Sequence, residues 1–258
     1  MPASKWTLQR LQATLDWLHS YSLAGISVFV RAAGIKLRHG RPQYYSPDPA
    51  YQQKEAARLS ALQQVGQHPD RVVGLFVDEL SYTRWPEPRL NWCAKAPEPR
   101  PLADRKQSRD LRYRVVGALN ATTGQLHVHQ DANIDREVFS RFVRRLEQAY
   151  QEAQTIYLIW DNWPVQHSDE VKHTLVHLPR LQVITLPTYA TWLNPIEKLW
   201  RKFRQEVDYL HPLADDWQRL RERVQAFFDQ FAHGSVDLLR YVGLCGAGTL
   251  ASALQAGP

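Results

Sequence analysis

The sequence has little of what stabilises secreted domains or anchors proteins in membranes. Among its 258 residues are only two cysteines, Cys93 and Cys245, which have no metal-ligand spacing and exclude a disulfide framework. No uninterrupted apolar run is long enough to span a bilayer, and the first six residues do not begin a signal peptide. We therefore expect a cytoplasmic protein without a membrane partner.

Acidic residues are also scarce relative to basic ones. The chain has 26 Asp and Glu residues against 32 Lys and Arg residues, a net charge of +6 and an isoelectric point near 9.4. This balance favours a polyanionic partner such as nucleic acid. The hydrophobic content of 44% suffices for a substantial core, and the length fits one large domain or one domain plus a small appendage.

Two of the few acidic residues follow short apolar runs. Asp78 ends the run of residues 72–77, and Asp161 ends the run of residues 156–160. Such runs, rich in β-branched residues and too short for a typical helix, indicate buried strands. Two such strands side by side would each deliver a carboxylate to one edge of a sheet.

A third acid, Glu197, lies where a strand-like segment gives way to an amphipathic helix. Asn194 is predicted to be the N-cap of that helix and Pro195 its first residue. Each acid alone has a simpler explanation as part of a turn or a cap. Together the three carboxylates predict an oxygen-ligand site for Mg²⁺ or Mn²⁺.

The order of predicted elements gives an α/β fold, a mixed sheet with helices on both faces. A helix over residues 5–20, a break at residues 21–25 and a short helix over residues 27–33 outline a helix-turn-helix, with a plain helical hairpin as the alternative. Two short extended segments, Ser81–Trp85 and residues 89–93, joined by Pro-Glu-Pro, predict a hairpin after Asp78. Four segments are predicted, namely a partial DNA-binding helix-turn-helix (1–43), a linker and helix (44–70), a catalytic domain (71–210) and a carboxy-terminal helical extension (211–258).

Four sequence segments resemble, in order and spacing, the DDE transposases of the mariner-like superfamily, in particular its bacterial insertion-sequence branch. They are Phe76-Val77-Asp78-Glu79, Trp160-Asp161-Asn162 followed by His167, Leu186-Pro187-Thr188-Tyr189, and Leu193-Asn194-Pro195-Ile196-Glu197-Lys198-Leu199-Trp200. Between Asp161 and Glu197 lie 35 residues, close to the family's usual gap. The resemblance covers about residues 71–208 and implies a ribonuclease-H-like catalytic domain acting at the bacterial nucleoid. One departure is Ala190-Thr191-Trp192 after Tyr189, where the family often has Ser-Pro.

The resemblance implies a DNA transposase that cleaves at transposon ends and joins them to target DNA by two-metal transesterification. Asp78, Asp161 and Glu197 would be both catalytic residues and ligands of two Mg²⁺ or Mn²⁺ ions, with Asp78 bridging the ions. One ion activates the attacking water or 3′-hydroxyl group, and the other stabilises the leaving oxygen. Two alternatives stay open: a ribonuclease-H-like DNA endonuclease without strand transfer, and a non-catalytic DNA-binding remnant. A phosphatase with Asp78 as nucleophile is excluded because Leu80 replaces the second Asp it would need.

Three further residues are candidate auxiliary groups. Asn162 either orients water beside the metal or caps the next segment. His167 contacts the phosphate, helps a proton leave, or is structural. Asn194 shapes the start of the helix that carries Glu197.

Basic residues on three segments are predicted to contact DNA phosphates: Arg31, Lys36, Arg38, Arg41, Arg105, Lys106, Lys198 and Arg201. A solvated helix face explains Lys198 and Arg201 equally well. The expected partners are double-stranded DNA of the terminal repeats and target, and a second copy of the chain in a paired-end complex. Family members usually carry two helix-turn-helix units, so we also expect a separate or frameshift-fused chain bearing the other unit. The Pro-rich basic excursion at residues 94–111 is predicted to reach DNA or the second copy.

Overall fold

The structure is a computed structural model that describes residues 6–37, 45–93, 100–105 and 109–245. The chain divides after residue 44 into two compact units. The α-helices of the described residues are α1 (Leu8–Thr14), α2 (Leu23–Ala32), α3 (Tyr51–Gln67), α4 (Arg136–Ala149), α5 (Asp169–Val176), α6 (Ile196–Phe203), α7 (Trp217–Asp229) and α8 (Val236–Val242). The strands are β1 (Val72–Thr83), β2 (Arg112–Asn120), β3 (Leu126–Asp131), β4 (Thr155–Trp160) and β5 (Leu181–Thr185).

The first unit contains α1, a 3-10 turn over Asp16–Leu18, and α2. Ser22 begins α2 because its hydroxyl accepts a hydrogen bond from the Gly25 amide at 3.1 Å. The predicted helix over residues 5–20 is wrong in length. Its leucine spacing also fits a short helix followed by a tighter turn, and α1 ends at Thr14. Two helices are present where two were expected, while their identity as a helix-turn-helix stays a prediction.

The second unit is built on a five-stranded sheet with the strand order β3-β2-β1-β4-β5. Strand β1 pairs antiparallel with β2 and parallel with β4, and β4 pairs parallel with β5. The sheet is therefore mixed, as predicted. Its central strand β1 is buried along most of its length, which makes it the rigid base for any group it carries.

Strand β1 is longer than its apolar run indicated. It continues through Asp78 to Thr83, and β2 offers a pairing partner to every residue from Leu75 to Thr83. The prediction that Asp78 ends a strand is therefore wrong, because a complete hydrogen-bonded ladder outweighs the polar interruption. The hairpin predicted from Ser81 onward is also wrong, since residues 89–93 form no strand.

Helices cover both faces of the sheet. On one face α3, α6, α7 and α8 pack on Phe76, Leu80 and Leu119. On the other face α4 and α5 pack on Leu75 and Val77. Because successive strand residues face opposite sides, β1 contributes apolar side chains to the cores on both faces of the sheet. This is the ribonuclease-H-like arrangement that the sequence predicted, and the helices after residue 210 share a core with the sheet.

In the described part of the chain, none of the helices has the length and apolar character needed to cross a bilayer.

Candidate active site

Asp78 and Asp161 lie at the same level of two neighbouring strands. The last residue pair of the parallel β1–β4 ladder is Phe76 with Ile159. Asp78 lies two residues after Phe76, and Asp161 lies two residues after Ile159. Asp78 is 6% exposed. Asp161 directly follows β4, and its Oδ1 accepts a hydrogen bond from the Trp163 amide at 3.1 Å. The sheet thus brings the two carboxylates together although only one of them stands at a strand end.

Glu197 approaches the same edge from the first turn of α6. That helix is held against the sheet by a stripe of four buried residues, Ile196, Leu199, Trp200 and Phe203. The prediction that Asn194 caps α6 is wrong: Pro195 occupies the N-cap position. The Asn194 side chain instead donates to the backbone carbonyl of Val77 at 3.3 Å, because that buried carbonyl lies within reach of its amide. The start of α6 is thereby tied to β1 one residue before Asp78.

A cavity of about 330 Å³ opens between these elements. Four acidic side chains line it, together with two asparagines and the loop of residues 186–191: Asp78, Glu79, Asp161, Glu197, Asn162 and Asn194. The three predicted acids therefore share one cavity with two of the three predicted auxiliary residues.

Glu79 is the residue that sequence reasoning missed. Carboxylate oxygens of Asp78, Glu79 and Asp161 all lie within 4.8 Å of one another. Neighbouring residues on a strand normally face opposite sides of the sheet, which gave no reason to group Glu79 with Asp78. Its position beside Asp78 in the sequence was the only signal. The Oε2 atom of Glu79 is buried and has no hydrogen-bond partner among the described residues.

The electrostatics of the cavity disfavour four ionised carboxylates. Burial raises the pKa of Asp78 well above its usual range, and the charges of Glu197, Glu79 and Asp161 raise it further. Burial, then the charge of Asp161, raises the pKa of Glu79 to about 7. Burial is also the largest cause of the raised pKa values of Asp161 and Glu197. Crowded, partly desolvated carboxylates with an unpartnered oxygen are a donor set that a divalent cation would stabilise.

Both oxygens of Asp78 have defined partners. The indole N–H of Trp200 donates to Oδ2 at 2.9 Å, and the backbone N–H of Glu79 donates to Oδ1 at 2.9 Å. Trp200 lies on α6, on the turn after Glu197. The helix that supplies one acid therefore also contacts another.

The cavity loop of residues 186–191 is anchored by the segment before α3. Asp48 accepts hydrogen bonds from the Thr188 amide at 2.9 Å and from Lys54 at 2.8 Å, and Lys54 is the main cause of its lowered pKa. Thr188 in turn accepts a hydrogen bond from the Asn162 amide at 2.9 Å. Asn162, one of the predicted auxiliary residues, is thus held on the loop beside Asp161. Tyr189 on this loop is exposed and has a φ of +58°.

The other predicted residues lie outside this cavity. His167 is exposed at the end of the 3-10 turn Pro164–His167. The Lys198 ammonium donates to the Val242 carbonyl at the end of α8 at 2.9 Å, a structural contact that its sequence position did not reveal. Arg31, Lys36, Arg105 and Arg201 are exposed, and Arg38, Arg41 and Lys106 lie outside the described residues.

Comparison with protein families gives one match that covers more than half of the chain. Residues 73–221 match the family described as DDE superfamily endonuclease. The uncharacterized 39 kDa protein of insertion element IS630 from Shigella sonnei is 26% identical over 222 residues. That alignment covers 85% of this chain and 63% of the relative, so the chain spans less than two thirds of the length of the curated relative it matches.

Solved structures with the same fold include two complexes of the Mos1 transposase. The Mos1 mariner paired-end complex with Mn superposes with a TM-score of 0.62 at 15% identity, over 97% of this chain and 73% of that chain. The Mos1 strand transfer complex gives a TM-score of 0.52 at 16% identity, over 98% and 79% of the two chains. These likenesses confirm the predicted fold, and with the family match they confirm the resemblance to DDE transposases of the mariner-like superfamily.

Proposed function

The chain belongs to the DDE superfamily endonuclease family, and from that premise we propose that it is a metal-dependent DNA transposase. Its reactions would be cleavage of DNA at transposon ends and transfer of those ends to target DNA. The observation that carries the proposal is the shared cavity of Asp78, Asp161 and Glu197, in which all three acids have raised pKa values. Crowded, largely buried carboxylates are costly unless they serve a ligand.

Asp78, Asp161 and Glu197 are the proposed ligands of two Mg²⁺ or Mn²⁺ ions, and Glu79 is a candidate fourth ligand. The bound ions would activate the attacking hydroxyl or water and stabilise the leaving oxygen of the phosphodiester. Asp78 suits the central position because its carboxylate lies within 4.8 Å of those of Glu79 and Asp161, and Trp200, on the helix that carries Glu197, donates to it. The pairing of β1 with β4 fixes Asp78 and Asp161, and the buried stripe of α6 fixes Glu197.

The chain's other cavity residues would orient DNA and water. Asn162 is held by Thr188 and lines the cavity, where its amide oxygen would accept a hydrogen bond from the attacking water or hydroxyl group and orient it. Arg201 follows Glu197 by one helical turn and is exposed, which suits contact with a DNA phosphate. Lys198 is a weaker candidate for such contact because its ammonium already binds α8.

The proposed partners are double-stranded transposon ends, target DNA and a second copy of this chain. Support comes from the Mos1 structures of the same fold, which are a paired-end complex and a strand transfer complex. Within this chain, residues 94–111 interrupt the catalytic fold between β1 and β2 and carry basic residues, so we propose that they contact DNA or the second copy. Deleting them should weaken assembly of two ends more than binding of one end. Equal losses would indicate folding damage instead.

Recognition of transposon ends is proposed to need sequence beyond the first unit of this chain. A single helix-turn-helix reads a few base pairs, and each correct base pair contributes about 1–3 kcal/mol. A partner chain or a frameshift-fused segment would supply the remaining discrimination. Binding of terminal-repeat DNA should be compared with binding of scrambled DNA at physiological salt. A preference of several orders of magnitude by this chain alone would contradict the idea.

The activity is tested with labelled terminal-repeat DNA, target DNA and Mn²⁺. Wild-type protein should produce both cleaved ends and joined products, and Asp161→Ala should produce neither while it folds and binds DNA. Cleavage without joining would identify a ribonuclease-H-like endonuclease instead. Neither product with wild-type protein that binds DNA would identify a non-catalytic remnant, and unchanged activity of folded Asp161→Ala would refute the assignment of the site.

A further inference from the structure

The buried contact between Trp200 and Asp78 joins a large apolar residue of the core to the most buried acid of the cavity. The indole Nε1 lies 2.9 Å from the Asp78 Oδ2 atom, and the two residues are 3% and 6% exposed. A hydrogen bond to a carboxyl oxygen in a place that water does not reach is stronger than one on the surface. It therefore fixes the rotation of the carboxylate.

The position of the indole ring is itself fixed by Gly117. Gly117 on β2 is the residue paired with Asp78 on β1. A Cβ atom at residue 117 would lie 2.6 Å from Cη2 of Trp200, closer than real contacts allow, and 3.1 Å from Cζ2, a tight contact. The ring thus occupies the space that every other residue type would fill. Phe228 contacts the ring with an interplanar angle of 87° and a centroid distance of 6.0 Å.

The alternation of side chains along β1 explains why the Trp200 indole can contact Asp78. Phe76 and Leu80, which flank Asp78 at two-residue spacing, belong to the core under α6. The side chain of Asp78 therefore leaves the strand toward α6, where the indole of Trp200 meets it. Without this donor, the Oδ2 atom of Asp78 would lose its hydrogen bond from α6.

We propose that Trp200 is a positioning residue that sets the orientation of the Asp78 carboxylate for divalent-metal binding, with Gly117 providing the room for its ring. The inference rests on the proposed function, since it assumes that Asp78 is a metal ligand. In this role Trp200 contacts neither the metal nor the DNA. It acts through Asp78, so its loss should weaken metal binding by more than the loss of core packing explains.

The test is Mn²⁺ affinity of the full chain, measured from the electron paramagnetic resonance signal of free Mn²⁺. Trp200→Phe keeps an aromatic ring and removes the N–H donor, and it should weaken Mn²⁺ binding about 10- to 100-fold, as loss of groups that orient metal ligands does. Trp160→Phe is the matched control. Trp160 is 2% exposed in the opposite core layer, and its indole nitrogen has no partner among the described residues. The control should leave Mn²⁺ affinity unchanged, although it should lower the melting temperature.

A second variant separates the position of the ring from the presence of the donor. Gly117→Ala retains the indole N–H but pushes the ring away, so it should also weaken Mn²⁺ binding. If Trp200→Phe does not fold, the Mn²⁺ affinity of Gly117→Ala tests whether the indole orients Asp78. Wild-type Mn²⁺ affinity in a folded Trp200→Phe or Gly117→Ala chain would overturn the inference, and so would equal weakening in the Trp160→Phe control.

Failure of the inference and failure of the proposed function have different signatures. If wild-type protein binds Mn²⁺ through Asp78 but neither cuts nor joins DNA, the proposed function fails and the positioning role stands. If wild-type protein is active and Trp200→Phe binds Mn²⁺ equally well, only the positioning role fails. If wild-type protein does not bind Mn²⁺, with or without DNA, both are refuted.

Discussion

Removing the charge of Glu79 should stabilise the metal-free protein. Glu79 stands beside Asp78 in the cavity, and burial and the charge of Asp161 raise its pKa from the ordinary 4.5 to about 7. Its Oε2 atom has no hydrogen-bond partner among the described residues. Glu79→Gln retains the shape of the side chain but cannot ionise. The variant therefore removes the electrostatic cost without opening a cavity.

The size of the effect depends on pH in a defined direction. Between pH 4.5 and about 7 the folded chain holds a proton on Glu79 that the unfolded chain has lost. The free energy of unfolding therefore falls as pH rises through this window, and the full cost is present above it. A pKa raised from 4.5 to about 7 corresponds to about 3 kcal/mol. This figure is an upper limit for Glu79→Gln, because the buried glutamine amide also lacks partners.

Thermal unfolding of the metal-free protein measures this effect. At about pH 8 the melting temperature of Glu79→Gln should exceed that of wild type by up to roughly 6–12 °C, since each kcal/mol shifts a chain of this size by about 2–4 °C. The difference should vanish near pH 4.5. Glu152→Gln, at an exposed glutamate after α4, is the matched control and should change little. With Mn²⁺ present, wild type should gain more stability than Glu79→Gln. A variant less stable than wild type at pH 8 would refute the electrostatic reasoning.

Two further predictions concern residues outside the acidic cluster. Asp48→Ala should lower the rate of DNA cleavage while Mn²⁺ affinity stays unchanged, because the Thr188 amide and Lys54 lose their acceptor and the cavity loop loosens. Asp70→Ala, at an exposed site before β1, is the control, and equal rates would show that the loop needs no anchor. His211 is buried, and its burial is the main reason why its pKa is lowered to about 4. As pH falls from 6.5 toward 4, the unfolded chain therefore binds a proton at His211 before the folded chain does, which lowers the free energy of unfolding. In urea unfolding, the free energy of unfolding of wild type should fall more than that of His211→Asn across this pH interval. Equal decreases would contradict a lowered pKa of His211 in the folded chain.

The sheet and its flanking helices could be predicted from the sequence because their signals are local. Apolar runs predicted β1 and β4, and the amphipathic pattern around Glu197 predicted α6. The end of β1 could not be predicted this way. Whether a strand continues past a polar residue depends on the partner strand, here β2, which is distant in sequence.

The acids of the candidate site could be predicted individually, but their fine arrangement could not. Asp78, Asp161 and Glu197 stand in characteristic sequence contexts, and the cavity contains all three. Glu79 escaped notice because strand alternation assigns it to the other face of the sheet. The amide contact of Asn194 with Val77 and the anchoring of Asn162 through Thr188 to Asp48 depend on distant segments. No local pattern encodes such contacts.

The most direct test of the account asks whether residue 161 holds the metal during DNA cleavage. Asp161→Cys replaces a hard oxygen ligand by a soft sulfur ligand, which Mg²⁺ disfavours and Mn²⁺ tolerates better. Cleavage of labelled terminal-repeat DNA by wild type and Asp161→Cys is measured in each metal, with Asp161→Ala as the control. The account predicts that wild type cuts in both metals, that Asp161→Cys cuts only in Mn²⁺, and that Asp161→Ala cuts in neither. Activity of folded Asp161→Cys that is the same in Mg²⁺ as in Mn²⁺, or equal cutting by Asp161→Ala, would contradict a metal-binding role for this carboxylate.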